Sequence, residues 1–430
     1  MTQTRSRDVI IREEEFGLLL PDASREFGAW TAAVLAEPDL LSLQPVVSQL
    51  GQRAHALETF LDDFGARQNR TFVTLGELVA SVRNLTTVVE SALHLRSRLA
   101  RYQVLIDRAP LAHDLERAQT VVGDALLAIL QRYVVETKRW HCDPERADVA
   151  RDGEVDQRRL LPRNLDEEDS IDEKHHIAEI GARFLKVVET SRSLDLGFVR
   201  PPEKLPEFVA THASEERCRW YESTVHSIQS IYDTYVLRTA LEREHPWLQA
   251  LRGHVSASLH LLEMATGLVH FYERHENDIR HEAARNAISD VVSKLTILDV
   301  AVNVCLRHAY LYVEGASATA TRILNTFVRQ AMVSLPMPAG VTLHARPLAL
   351  IVQIARHYGT PLEISFDGER CSAGSLMSLI MLGGRHPRPQ MIQARGDARA
   401  LRDLEALFAW DLGETQRDPP PGLEYLKIRA

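Results

Sequence analysis

The sequence predicts a multidomain protein whose N-terminal region is mostly α-helical and whose C-terminal part is a small α+β domain. Two observations predict this class. Apolar residues repeat with a helical period over the first three quarters of the chain, and after about residue 329 short apolar runs alternate with helical stretches. The 430 residues are enough for roughly two to four domains.

The helical region contains several amphipathic repeats. The clearest covers residues 115–133, where apolar side chains recur every three or four positions and polar ones occupy the other face. A second follows Pro246, which a helix tolerates in its first turn. Connections at 67–70 and 107–110 are short, which is typical of antiparallel neighbours in a bundle. Further helical stretches are predicted at about 40–64, 71–102 and 283–312.

Two interruptions divide the helical region. One is rich in Asp, Glu and Arg and poor in apolar residues, so it cannot easily bury enough surface to become ordered. The other contains three prolines between residues 201 and 206. We therefore predict a helical bundle at 1–142, a charged linker or mobile loop at 143–173, a second bundle part at 174–328, the α+β domain at 329–413 and a flexible tail at 414–430.

The residues after 329 predict the element order β-α-β-β-α-β-α. The strongest local signal is Asp367-Gly368, a hairpin dipeptide between two strand-like runs. The order is typical of a compact α+β domain with an antiparallel sheet. Strands are predicted at 331–335, 362–366, 370–372 and 390–394, and helices at 348–355, 375–381 and 398–409.

Composition and charge exclude several classes of protein. The net charge is −9, so no global basic field draws the chain to nucleic acid. No run of about 18 apolar residues predicts a membrane span, and residues 1–15 do not resemble a signal peptide. The 4 cysteines form no C-x-x-C pair, which fits a reducing compartment. We expect a cytoplasmic protein without nucleic-acid partners.

One motif carries chemistry. Residues 340–347 read GVTLHARP and precede an apolar helix. This string resembles the phosphoryl-accepting histidine motif of HPr, the phosphocarrier of the bacterial phosphoenolpyruvate-dependent phosphotransferase system. A second string, GSLMSLIMLG at 374–383, resembles the HPr segment around its regulatory serine. The resemblance covers about 329–413 and implies the HPr-like open-faced β-sandwich.

The residues of the first motif also suit this chemistry on physical grounds. His344 precedes a helix, where unpaired backbone N–H groups and the positive end of the helix dipole attract an attached anion. Arg346 adds a permanent charge and a fork of donors for phosphate oxygens. By itself, His344 would more often be a surface histidine in a loop. Arg346, Pro347 and the second motif together favour the phosphoryl acceptor.

The second motif has two interpretations. Ser375 suits a helix N-cap, and the resemblance implies that it is a regulatory site for an HPr kinase. The resemblance also implies that Leu376, Met377 and Ile380 form an exposed patch where partners dock. Apolar residues at this spacing more often belong simply to a core.

Other candidate sites have weaker support. His270, His275 and His281 are spaced by five and six residues, so they do not share one helix face and we predict no metal site. The nearby acidic residues Glu276, Asp278 and Glu282 do not complete a metal site either. The adjacent pair His175-His176 also predicts no site. No phosphate-binding glycine motif is present, and we expect no cofactor.

The sequence therefore predicts a phosphocarrier that takes a phosphoryl group on His344 from phospho-enzyme I and passes it to an enzyme IIA-type acceptor. Such a protein is a transfer carrier rather than a multi-turnover enzyme. The alternative is a regulatory protein whose helical region binds an unknown partner under control of phosphorylation at His344 or Ser375. The extra apolar residues Leu350 and Ile354 predict that the C-terminal domain docks on the helical region.

Overall fold

The structure is a computed structural model that describes residues 10–142, 146–147, 173–276, 281–386, 389–414 and 418–426. The predicted charged linker at 143–173 lies almost entirely outside these residues. In the described part, no helix is both long and apolar enough to cross a membrane.

The region before residue 328 is helical in its described part, which confirms the predicted class. A π-helical stretch, Val300–Leu306, joins two of its helices. Pro246 directly precedes one helix, as expected for a residue that starts helices. The helices are α1 (Glu13–Ala36), α2 (Gln44–Asp63), α3 (Val73–Leu99), α4 (Ala109–Thr137), α5 (Glu173–Ser193), α6 (Leu205–His212), α7 (Glu215–Tyr235), α8 (Ala240–Glu244), α9 (Trp247–Glu276), α10 (Glu282–Ser289), α11 (Lys294–Asp299), α12 (Arg307–Gly315) and α13 (Ser317–Phe327).

The chain forms two compact units that interleave distant stretches of sequence. The first unit contains the described residues within 1–165, 191–226 and 253–313, and the second those within 166–190, 227–252 and 314–430. Helical periodicity describes each helix by itself, so it gives no information on such interleaving. The domain boundaries that the sequence predicts therefore remain a prediction about which segments fold independently.

In the first unit, α3 packs between α2 and α4. Its apolar residues occur on nearly every side, and Leu78, Val82 and Leu85 are fully buried. Buried Glu58 on α2 pairs with both Arg67 and Arg83, which offsets the cost of removing its charge from water.

Buried histidines also hold the first unit together. The His254 side chain is fully buried, with Nδ1 2.7 Å from the carbonyl oxygen of Tyr312. The N–H of Leu105 donates to His254 Nε2 at 2.8 Å, so the ring is neutral. Burial lowers the pKa of His254. Burial likewise lowers the pKa of His308, although its Nε2 lies 2.8 Å from an Asp114 carboxylate oxygen.

The second unit contains the C-terminal α+β domain, whose element order is the predicted β-α-β-β-α-β-α. Its strands form one antiparallel sheet in the order β1-β4-β2-β3. Asp367 and Gly368 both have positive φ, as a tight two-residue hairpin turn requires. The elements are β1 (Gln330–Pro336), α14 (Ala345–Tyr358), β2 (Leu362–Phe366), β3 (Glu369–Ser372), α15 (Leu376–Arg385), β4 (Met391–Asp397) and α16 (Ala398–Ala409).

The helices of this domain cover one face of the sheet. Residues alternate along β2, where Leu362, Ile364 and Phe366 are buried. Met332 on β1 and Arg395 on β4 pair across the opposite, exposed face. The domain is therefore the open-faced α+β sandwich that the sequence predicts.

The extra apolar side of α14 is covered in part by the domain's own C-terminal segment. A Cβ on Gly413, which has φ +73°, would lie 2.6 Å from Leu350 Cδ1. The sequence predicts a flexible tail beyond 413, yet Leu423 and Leu426 are buried in the same core as Leu350. These leucines are three positions apart in a short turn, so both reach the core together.

The opposite end of α14 meets a helix of the helical region. Within the second unit, the buried His175 ring on α5 lies 5.7 Å from the ring of Tyr358 and 5.8 Å from that of His357. Glu179 of α5 lies so close to Gly359 that a Cβ there would be 2.8 Å from Glu179 Cγ. The domain does contact a helix of the helical region, through the C-terminal end of α14.

The neutral histidines of the first unit make its stability depend on pH. The unfolded chain protonates these rings near pH 6.5, whereas the folded chain resists protonation. The free energy of unfolding should therefore fall as pH drops below about 6.5, by at most about 1.4 kcal/mol per pH unit for each such ring. Urea unfolding midpoints at pH 7.5 and 5.5 measure this, and His254→Gln should reduce the pH dependence. Exposed His226→Gln is the control, and an unchanged pH dependence in His254→Gln would contradict the interpretation.

Candidate phosphoryl-acceptor site

The candidate site begins where the backbone enters α14. His344 is the N-cap residue, with extended backbone (φ −122°, ψ −176°) and no capping bond from its side chain. The first helical bond runs from the N–H of Leu348 to the carbonyl oxygen of His344, at 3.2 Å. The N–H groups of Ala345 and Arg346 thus precede the first helical donor and have no acceptor in the described part of the chain. Both are available to an anion attached to the His344 ring.

A carboxylate that sequence reasoning missed lies beside the histidine. Glu414 Oε1 is 3.3 Å from His344 Nε2, and the His344 side chain remains 49% exposed. Glu414 reaches this position because the turn before it has positive φ at Asp411, Leu412 and Gly413. The fully buried Leu412 holds this unusual backbone in the core. The sequence places Glu414 only in the predicted tail, and no motif marks it.

This contact influences which ring nitrogen carries the hydrogen. A carboxylate beside Nε2 favours the tautomer that carries the hydrogen there. The lone pair is then on Nδ1, which has no hydrogen-bond partner among the described residues. The arrangement can therefore present Nδ1 of His344 as a nucleophile.

Arg346 lies one residue into the helix and is exposed. Its guanidinium has no ion-pair partner within the described residues, so its donors remain free for an incoming anion. Pro347 and Leu348 are buried directly after it, which anchors the helix start in the core. The site thus combines a rigidly held helix start with an unpaired guanidinium among the described residues.

The second motif lies next to this site. Ser375 caps α15, as predicted: its Oγ accepts from the N–H of Ser378 at 3.2 Å. On α15, Met377 and Ile380 are 66% and 39% exposed, whereas Leu376 is partly buried against the core.

Close packing brings α15 to the histidine loop. A Cβ on Gly383 would lie 3.4 Å from Leu343 Cβ, which is an ordinary contact distance. Met381, which the sequence analysis did not select, is also 54% exposed, four residues after Met377.

The remaining candidates are separated in the structure. His270 Nδ1 contacts Glu215 at 2.9 Å, and His281 precedes α10 rather than extending α9. The side chains of His275 and Glu276, and the whole of Asp278, lie outside the described residues, whereas Glu282 begins α10. Among described residues, no group of three His, Cys, Asp or Glu side chains is arranged for a metal.

The pair His175-His176 does enter a cluster that sequence missed. His175 lies among the aromatic rings at the end of α14, and His176 stacks on Tyr235 at 3.6 Å between ring centroids. No local pattern signals these contacts, because they depend on how α5 packs.

The fold and the histidine at the start of α14 are those expected of a phosphocarrier domain. Residues 334–409 match a family model described as the PTS HPr component phosphorylation site, whereas the N-terminal region matches no family model. No curated protein and no solved structure matched the chain. The C-terminal domain is therefore an HPr domain, which supports a general phosphocarrier role in the phosphotransferase system.

The N-cap role of Ser375 predicts a local change in stability. Ser375→Ala removes the acceptor for the Ser378 N–H, which costs about 1 kcal/mol, whereas aspartate at 375 also caps a helix. Exchange of the Ser378 amide hydrogen should accelerate about fivefold in Ser375→Ala and stay near the wild-type rate in Ser375→Asp. Ser334→Ala, at an exposed position of β1, is the control. Equal exchange in Ser375→Ala and wild type would show that the cap contributes nothing.

Proposed function

We propose that this protein transfers phosphoryl groups in a phosphoenolpyruvate-dependent phosphotransferase system. His344 accepts the phosphoryl group from phospho-enzyme I and passes it to an enzyme IIA-type acceptor. The observation that carries this proposal is the extended His344 at the start of α14, followed by two unpaired backbone N–H groups. The role accords with the cytoplasmic location that the sequence predicts.

Acceptance is a direct exchange of one bond for another. Nδ1 of His344 attacks the phosphorus atom, and the bond from phosphorus to its enzyme I donor breaks as the new N–P bond forms. The phosphoryl oxygens then lie near the N–H groups of Ala345 and Arg346 and the positive end of the α14 dipole. The Arg346 guanidinium adds charge-assisted hydrogen bonds. Positioning and electrostatics of this kind account for most phosphoryl-transfer catalysis.

Release to the next acceptor requires the ring to be a good leaving group. A ring that carries a proton on Nε2 leaves more readily from phosphorus than a neutral ring. The Glu414 carboxylate, 3.3 Å from Nε2, stabilises that proton. Glu414 is thus a positioning and charge-balancing residue for the transfer.

The exposed apolar residues of α15 are the proposed docking surface for enzyme I and the acceptor. Met377 and Ile380 would enter a partner's apolar groove, with Leu376 supporting them from the core side. We further propose that an HPr kinase phosphorylates Ser375. A phosphoryl group at this N-cap is favoured by the helix dipole, yet it places negative charge beside the apolar surface and weakens docking.

A regulatory role is the second candidate, and the contact between α14 and α5 favours it. His344 starts α14, and the end of the same helix meets His175 and Glu179 of α5. Phosphorylation at His344 or Ser375 would then alter how the helical region binds its unidentified partner. A carrier loses its phosphoryl group to an acceptor within seconds, whereas a switch retains it.

Labelling by enzyme I tests the phosphoryl acceptor. The purified chain, incubated with enzyme I and labelled phosphoenolpyruvate, should acquire one label that is acid-labile and base-stable, because phosphohistidine is an N-phosphoryl linkage. His344→Ala should abolish the label, and His281→Ala, at an exposed position, should leave it intact. Persistent labelling of His344→Ala would contradict the proposal. A chase with enzyme IIA-type acceptors then separates a carrier from a switch.

The Glu414 role predicts asymmetric kinetics. Glu414→Gln keeps a polar group near Nε2 but removes its charge, so onward transfer should slow about two- to fivefold, as expected for a half-exposed ion pair. Acceptance from enzyme I should change less, since the neutral ring is the nucleophile. Single-turnover rates in each direction measure both effects. Asp418→Asn removes an equal charge from the same segment and is the control, and equal transfer rates in Glu414→Gln and this control would rule out the contact.

A further inference from the structure

The first unit contains a cavity that the phosphoryl chemistry does not use. It has a volume of about 430 Å³ and lies between α1 and α4. We call it the α1–α4 cavity. Small or short side chains on α1 leave the space open, and the facing residues come from the last turns of α4. Its walls include Ser24, Gly28, Ala32, Tyr133, Val134 and Thr137.

The cavity has a buried floor and an exposed mouth. Ser24, Gly28 and Tyr133 are buried at the floor. Lys138 and His141 also line the cavity but are exposed, so they mark the mouth. A ligand would therefore bury one end and keep the other near water.

An unsatisfied hydrogen-bond donor lies at the floor. Tyr133 is 2% exposed, and its hydroxyl has no hydrogen-bond partner among the residues that the structure describes. The Ser24 hydroxyl lies nearby and donates instead to the carbonyl oxygen of Pro21, at 3.4 Å. Burial raises the pKa of Tyr133, so the hydroxyl keeps its hydrogen. A buried donor without an acceptor is costly in a folded protein, and a ligand that accepts from it removes the cost.

The mouth is positively charged. The Lys138 ammonium has no ion-pair partner within the described residues, and Arg25, which also lines the cavity, pairs with Asp22. Ala32 and Val134 present apolar surface to the cavity. The cavity thus offers a cation, apolar surface and a buried donor.

We propose that the α1–α4 cavity binds a small organic anion. Its negative group lies near Lys138, a hydrogen-bond acceptor on it receives the Tyr133 hydroxyl, and its apolar body contacts Ala32 and Val134. Binding is non-covalent and independent of His344. It gives the helical region a ligand site of its own, beyond phosphoryl transfer.

Three related probes, titrated calorimetrically into the full chain, test this site. 4-Acetylbenzoate carries a carboxylate, a ring and a carbonyl acceptor, whereas benzoate lacks the acceptor and acetophenone lacks the charge. We expect 4-acetylbenzoate to bind about fivefold more tightly than benzoate, the usual effect of one hydrogen bond. Tyr133→Phe should abolish this preference, and Lys138→Gln should abolish the preference for 4-acetylbenzoate over acetophenone.

Two further variants keep the test independent of folding defects. Ala32→Leu fills the cavity and should abolish binding, while Ala36→Leu, at an exposed position of α1, should not. Without ligand, Tyr133→Phe should keep or raise the melting temperature, because it removes an unsatisfied donor, and labelling of His344 should be normal. Failure of 4-acetylbenzoate to bind the wild-type chain at millimolar concentration overturns the proposal. Equal binding of 4-acetylbenzoate by Ala32→Leu and the wild-type chain would also overturn it. A preference for 4-acetylbenzoate over benzoate that survives Tyr133→Phe would do the same.

Discussion

The candidate phosphoryl-acceptor site depends on one constraint: the start of α14 must keep its first N–H groups unpaired while the rest of the helix is fixed. Burial satisfies this constraint. Leu348, Ile351 and Val352 face the domain core, and Leu350 is covered by the turn before Glu414. A helix held on so many sides cannot shift to satisfy its own first turn, so the unpaired N–H groups remain where an anion on His344 would meet them.

The same turn links packing to chemistry. Leu412 is fully buried with a positive φ, which a non-glycine residue adopts only when its surroundings favour it. Its burial directs the next residues back toward the helix start and sets Glu414 beside His344. Stability and reactivity therefore share one short segment, and a change that loosens the core at Leu412 would also move a charge at the site.

The sequence predicts the HPr domain well because its signals are local. The Asp367-Gly368 turn, the Ser375 cap and the histidine before a helix each depend on neighbours in the chain, and the structure contains all three. Glu414 and His175 could not be found in this way. Each reaches its partner through tertiary packing, and neither belongs to a periodic pattern. The unsatisfied Tyr133 hydroxyl is a similar case, since its position in the amphipathic repeat of α4 indicates only that it is buried.

The short connection between α13 and β1 has a consequence for how phosphoryl groups move. Only Val328 and Arg329 separate the end of α13 from the first strand of the HPr domain. A connection of two residues cannot act as a long flexible linker. The HPr domain therefore cannot reach many neighbouring proteins by moving on its own. Any protein bound near α13 would experience a high effective concentration of the histidine, while a distant one would have to diffuse to it. The short connection therefore favours partners that bind near α13 over partners that bind elsewhere.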